Sequence, residues 1–111
     1  MRYRIRLAVA IGAFVATAAC QPVLEYPFRE QYAALRAIKI GATEAQIRSA
    51  LGNPDFVHPK GTPPAVYCLP GRACTDRNVT GRLLVYVRGK PSAYYFLDVS
   101  GHVEHVYVGG A

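Results

Sequence analysis

The chain has 111 residues, of which 51% are apolar and 18% charged, with a formal net charge of +6 and no Trp. That length suits one small domain and excludes two with separate cores. Thirteen Lys and Arg stand against seven Asp and Glu, but Arg2, Arg4 and Arg6 open the chain together and the rest are scattered, which argues against nucleic acid as a partner.

After those arginines comes an apolar run from Leu7 to Ala19. A positive start, an apolar stretch and small residues at its end are the order of a secretory signal peptide. The run is also shorter than the roughly 20 residues of a membrane span. It closes on Thr17-Ala18-Ala19-Cys20, which resembles the lipobox of bacterial lipoproteins. The resemblance implies that residues 1–19 are a lipoprotein signal peptide and that Cys20 is acylated as the first mature residue. With Gln21 rather than Asp beside the cysteine, it further implies sorting to the outer membrane. Residues 20–27, which include Pro22 and Pro27, then read as a lipidated tether, and residues 28–111 as the domain. Loss of the three arginines halves the formal charge of +6 and leaves a solvated surface with mild attraction to anionic headgroups.

Phe28, Tyr32, Leu35 and Ile38 recur at helical spacing, which predicts a helix from Phe28 to about Lys39, with Gly41 interrupting the pattern. The next segment carries its own start and stop. Thr43 is an N-cap with Gln46 three residues on, the capping-box pattern. Ile47, Ala50 and Leu51 supply a buried stripe, and Gly52 and Pro54 end the helix, placing it at 44–51.

Beyond Pro54, β-forming residues alternate with turn residues. Pro59, Gly61, Pro63 and Pro64 predict an irregular loop and Ala65 to Leu69 a strand. Cys68 and Cys74 remain once Cys20 is assigned to lipid, and in an oxidising compartment they are expected to form a disulfide; a metal site is disfavoured because the spacing is not CxxC and no second pair exists. Leu83 to Val87, Ala93 to Val99 and Val103 to Val108 read as strands joined by the Gly89-Lys90-Pro91 and Ser100-Gly101 turns, with a frayed tail at Gly109, Gly110 and Ala111. The expected fold is α+β, two N-terminal helices packed on a small antiparallel β-meander of three or four strands.

Ile38, Gly41, Thr43, Gln46, Ile47, Leu51, Gly52 and Pro54, with the later Leu97, Asp98, Gly101 and Val103, resemble the signature of the SmpA/OmlA lipoprotein family, to which the BamE component of the barrel-assembly machinery belongs. The family's first strand usually carries Trp-x-Tyr. Here that place falls on Ala65-Val66-Tyr67, or else Leu83 to Tyr86 is the first strand and residues 60–80 are an insertion. The resemblance implies an accessory of outer-membrane β-barrel assembly, held by acylated Cys20 and docking on protein subunits of that machinery. The alternative is a free-standing envelope lipoprotein that binds or inhibits another protein, since the fold also resembles the repeated unit of certain secreted β-lactamase inhibitors.

Neither reading needs catalysis or a cofactor. Ser49, Ser92 and Ser100 sit in no nucleophile-elbow pattern. His102 and His105, three apart in an expected strand, should face opposite ways and share no metal. Asp55, Asp76, Asp98 and Glu104 are the domain's carboxylates outside the helices, and Asp98 suits the turn before Gly101 better than paired acid–base work. Tyr94 and Tyr95 are adjacent in a strand, so either one of them is exposed as an interface anchor or both faces of the sheet are covered.

Overall fold

A computed structural model describes residues 27–70 and 74–110. The leader, Cys20 and residues 21–26 lie outside the described residues. In chain order the elements are α1 (Arg29–Arg36), α2 (Glu44–Leu51), β1 (Phe56–Pro59), α3 (Pro64–Tyr67), β2 (Arg82–Val87), β3 (Pro91–Leu97) and β4 (Val103–Gly110). The strands form one antiparallel sheet in the order β1-β2-β3-β4, so each pairs only with its neighbours in sequence. The molecule is therefore α+β, and among the described residues two helices precede the sheet and a third, one turn long, lies between its first two strands.

Two apolar clusters explain this arrangement, one on each face of the sheet. Register sets Leu84, Tyr86, Ala93, Tyr95 and Leu97 on the first face, where they pack with Leu35 and Ile38 from the α1 region, Ile47 of α2 and Val103. The intervening residues Leu83, Val85, Tyr94 and Phe96 point to the second face and pack with Tyr67 and Val79. With both sides covered, all seven residues of β3 are buried, and Tyr94 and Tyr95 are both fully enclosed. The choice left open by the sequence is thus resolved in favour of two covered faces. Continuous burial, rather than in–out alternation, is what a strand between two covering layers requires.

The first helix ends at Arg36, three residues short of the predicted end. Ile38 is still buried, but outside the helix. Hydrogen bonding elsewhere explains the early stop: the Gly41 amide donates to the Val103 carbonyl and the Val103 amide to the Ala42 carbonyl, both at 2.8 Å, and Thr43 bridges His102. Gly41 turns the chain at φ 94° so that residues 41–43 can make those bonds, and the helix unwinds before them.

Two elements differ from expectation. Residues 64–67 form α3 instead of a strand: Pro64 occupies a first-turn position, where its fixed φ favours helix, and the Tyr67 and Cys68 amides reach back to the Pro63 and Pro64 carbonyls at 3.4 and 3.0 Å. The first strand is neither 65–67 nor 83–86 but Phe56–Pro59, paired with β2 at Phe56↔Val85 and His58↔Leu83. Four residues ending in Pro fit an edge strand, a sheet position that tolerates a missing amide donor. At the other end Gly109 and Gly110 belong to β4 rather than to a frayed tail, and Ala111 lies outside the described residues.

Gly81 shows how tightly the sheet closes on its turns. A Cβ there would overlap the Asp98 and Leu97 carbonyls, so this approach needs glycine.

Candidate interaction surface

The motif residues at 41–54 take structural positions. Thr43 Oγ1 accepts the Gln46 amide at 3.2 Å while Gln46 Oε1 accepts the Thr43 amide at 2.9 Å, a complete capping box. Leu51 packs against the first-face cluster, and Gly52, at φ 83°, ends the helix ahead of Pro54; Gly41 has φ 94°. The end of α2 is fastened to β2 from several sides. The Tyr86 hydroxyl donates to the Gly52 carbonyl at 2.8 Å, and Arg88 Nη2 donates to the Leu51 carbonyl at 2.8 Å. Asp55 Oδ2 accepts from the Val87 amide at 2.7 Å and Arg88 Nη1 at 3.1 Å. These residues fix a scaffold.

On the second face, Cys68 and Cys74 form a disulfide with Cα atoms 5.8 Å apart. Beside it the Tyr67 hydroxyl accepts the Arg77 amide at 3.0 Å and shares its proton between the Arg77 and Thr75 carbonyls, at 2.7 and 3.0 Å. The Tyr94 hydroxyl accepts the Leu69 amide at 3.2 Å. The covering segment is thereby tied down by two tyrosines and one covalent bridge. Burial pushes the Tyr67, Tyr86 and Tyr95 phenols above their ordinary value of 10.0, so all three stay protonated donors at neutral pH.

Asp98, Ser100 and His102 meet at the β3–β4 turn. Asp98 Oδ1 accepts the His102 amide at 3.0 Å, the Ser100 hydroxyl at 2.7 Å and the Ser100 amide at 3.0 Å. Those bonds, the His102 amide foremost, hold the carboxyl below its ordinary 3.8. Ser100 Oγ lies 3.1 Å from His102 Nδ1, but its proton is directed to the stronger carboxylate acceptor, so the ring nitrogen donates and the hydroxyl is not activated. This is a side-chain-organised turn. His102 precedes β4, while His105 lies within it against Phe96, ring centres 5.6 Å apart, and burial lowers its imidazole below 6.5. The two histidines thus serve separate neighbours. Among the described residues no three His, Cys, Asp or Glu side chains gather as metal ligands, and no helix is long and apolar enough to cross a membrane.

Apolar side chains stay exposed at the rims of the sheet and at Val99 of the β3–β4 turn, which is 81% exposed. Phe56 and Val57 on β1 and Val66 on α3 are exposed at one rim, and Ile40 at the other, where it is 69% exposed. Around Ile40 an open depression of about 350 Å3 is lined by Arg36, Ile38, Lys39, Ile40, Val106 and Val108. None of these except Ile38 stood out in the sequence, because residues 36–40 and 106–108 meet only through the fold. Cys20, the expected lipid site, lies outside the described residues. No protein family, no curated protein and no solved structure matches this chain.

Proposed function

We propose that the chain is a lipid-anchored, non-catalytic interaction module at the periplasmic face of the bacterial outer membrane, of the SmpA/OmlA kind, and an accessory of β-barrel protein assembly. The observation that carries the reading is the basic, apolar leader running straight into Cys20, ahead of a domain whose Gly41, Thr43, Gln46 and Gly52 all serve as caps and turns. Packing of α1 and α2 residues on one face of the meander supports the same family arrangement. The side chains with reactive potential are engaged in turns and ring contacts, which fits a protein valued for its outline. The disulfide agrees with an oxidising compartment.

Expression in a Gram-negative host fed an alkynyl fatty acid tests both halves. The chain should carry the label in the outer-membrane fraction and lose it in Cys20→Ser, and affinity capture from solubilised envelopes should recover barrel-assembly subunits. An unlabelled chain free of membranes overturns the anchoring, and capture without any assembly subunit overturns the assignment to that machinery.

A further inference from the structure

One motif of the segment that covers the second face has no part in the proposed function. Residues 76–80 read Asp-Arg-Asn-Val-Thr. Asn78-Val79-Thr80 is the Asn-x-Thr acceptor pattern for N-linked sugar, which serves a chain that enters a secretory route and presents the Asn on a surface loop. The three-residue pattern alone is common, but here an acid stands two positions ahead of the Asn, and that longer form is the one bacterial transferases of this kind select. The loop fits as well. Residues 74–79 lie in neither helix nor strand, and Asp76, Arg77 and Asn78 are exposed. Main-chain bonds fix the segment on both sides of Asn78: the Arg77 amide and carbonyl meet the Tyr67 hydroxyl at 3.0 and 2.7 Å, and the Val79 carbonyl accepts the Gly61 amide at 2.9 Å. The Asn78 carboxamide stands outside this net, and among the described residues nothing hydrogen-bonds it.

We propose that Asn78 is an N-glycosylation acceptor, modified by an oligosaccharyltransferase from a lipid-pyrophosphate-linked oligosaccharide as the chain emerges from the membrane it crosses. Asn78 Nδ2 displaces the pyrophosphate at C1 of the sugar: a C–N bond forms, the C1–O bond breaks, its electron pair leaves with the lipid pyrophosphate, and the surplus amide proton passes to that leaving group. The Thr80 hydroxyl and the Asp76 carboxylate flank the reacting amide and give the enzyme its grip, the first by a hydrogen bond and the second by pairing with a cation. Folding sets the order of events. Val79 ends 2% exposed, packed with Tyr67, Leu83, Val85, Tyr94 and Phe96, and the Thr80 hydroxyl donates to the Glu104 carboxylate, so the folded chain withdraws both from an enzyme. Glu104 and the strands β2 and β3 that bury Val79 lie downstream in sequence and emerge later, which leaves a window for transfer. Afterwards the glycan projects from an exposed position and disturbs no packing. The inference shares with the proposed function only the export that the leader implies.

The test is expression of the full chain, leader included, in a Gram-negative host supplied with a periplasmic oligosaccharyltransferase and its lipid-linked oligosaccharide, read by intact mass and peptide mapping. A fraction of the chain should gain the mass of one glycan on the peptide that holds Asn78. Asn78→Gln, at an exposed position that leaves the far-UV spectrum unchanged, should abolish the gain, as should Thr80→Val, while Thr80→Ser keeps it. Asp76→Ala should slow the gain about tenfold in pulse labelling, the loss of one charge-assisted contact. Purified folded chain offered the same enzyme and donor should stay unmodified, and modification there would overturn the order of events. A chain whose Cys68–Cys74 disulfide has formed but which carries no sugar overturns the acceptor, as does sugar that survives Asn78→Gln, and an unchanged rate in Asp76→Ala overturns the part given to Asp76. Free thiols without sugar mark a chain that was never exported, which overturns this inference and the anchoring together. Fatty-acid labelling is a separate readout, so a glycosylated chain without the label sinks the anchoring alone.

Discussion

The two faces of the sheet are buried to the same degree but by different means. The first is covered by α1, α2 and the segment between them, whose backbone groups are largely satisfied within helices and at the Val103 rungs. The second lies under α3 and the irregular chain leading to β2, which depends on the disulfide and on tyrosine hydroxyls to meet its polar backbone. A helix brings its hydrogen bonds with it, whereas a loop must find partners or a covalent tie. The first cover should therefore fail through lost packing, and the second through lost fastening.

The sharpest way to break this contrast is Leu35→Ala. Leu35 is fully buried, and its carbonyl accepts the Tyr95 hydroxyl at 2.5 Å; the substitution should lower stability by about 3 kcal/mol in denaturant unfolding, through lost apolar contact and an unfilled cavity. A loss below about 1 kcal/mol would mean that α1 is not what seals the first face. On the second face, Cys68→Ser with Cys74→Ser should cost about 2 kcal/mol, and amide exchange should quicken around Leu69 and Thr75 while Ile47 and Leu51 stay protected. Uniform acceleration would show that the two covers act as one unit.

Tyr67→Phe keeps the ring against Tyr94 and Phe96 but strands the Arg77 amide and the Arg77 and Thr75 carbonyls, so a loss of about 1 to 2 kcal/mol is expected. Acid should act last and least. His105 has a lowered folded pKa, so the unfolded chain binds its proton first and stability declines as pH falls below 6.5. Asp98, also lowered, adds a second decline below 3.8. His105→Gln should remove the first decline and keep the second, as followed by melting temperature across pH.

How much of this could be seen in the sequence depends on where each element's cause resides. The helix at Glu44–Leu51 was legible because cap, stripe and stop all lie between Thr43 and Pro54. The strands from Leu83 onward were legible from β-formers between turn residues. β1 was not, because Phe56-Val57-His58-Pro59 becomes a strand only through β2. Residues 64–67 misled because a short apolar run has no period of its own, and Pro64 decided the matter. The adjacent Tyr94 and Tyr95 posed the right question, but only the covering chain on both sides answers it. The cysteine pair followed from counting and compartment. The Ile40 depression had no sequence signal at all, since its walls are more than sixty positions apart.

Nearest-neighbour strand order has a consequence for how the chain comes into being. The hairpins β2–β3 and β3–β4 close short loops, so they can zip early and quickly. The first-face helix has no such local reward. Emerging from a ribosome ahead of β3 and β4, Leu35 and Ile38 stay wet until the last strands arrive, and docking of α1 is the step that must wait for all the others.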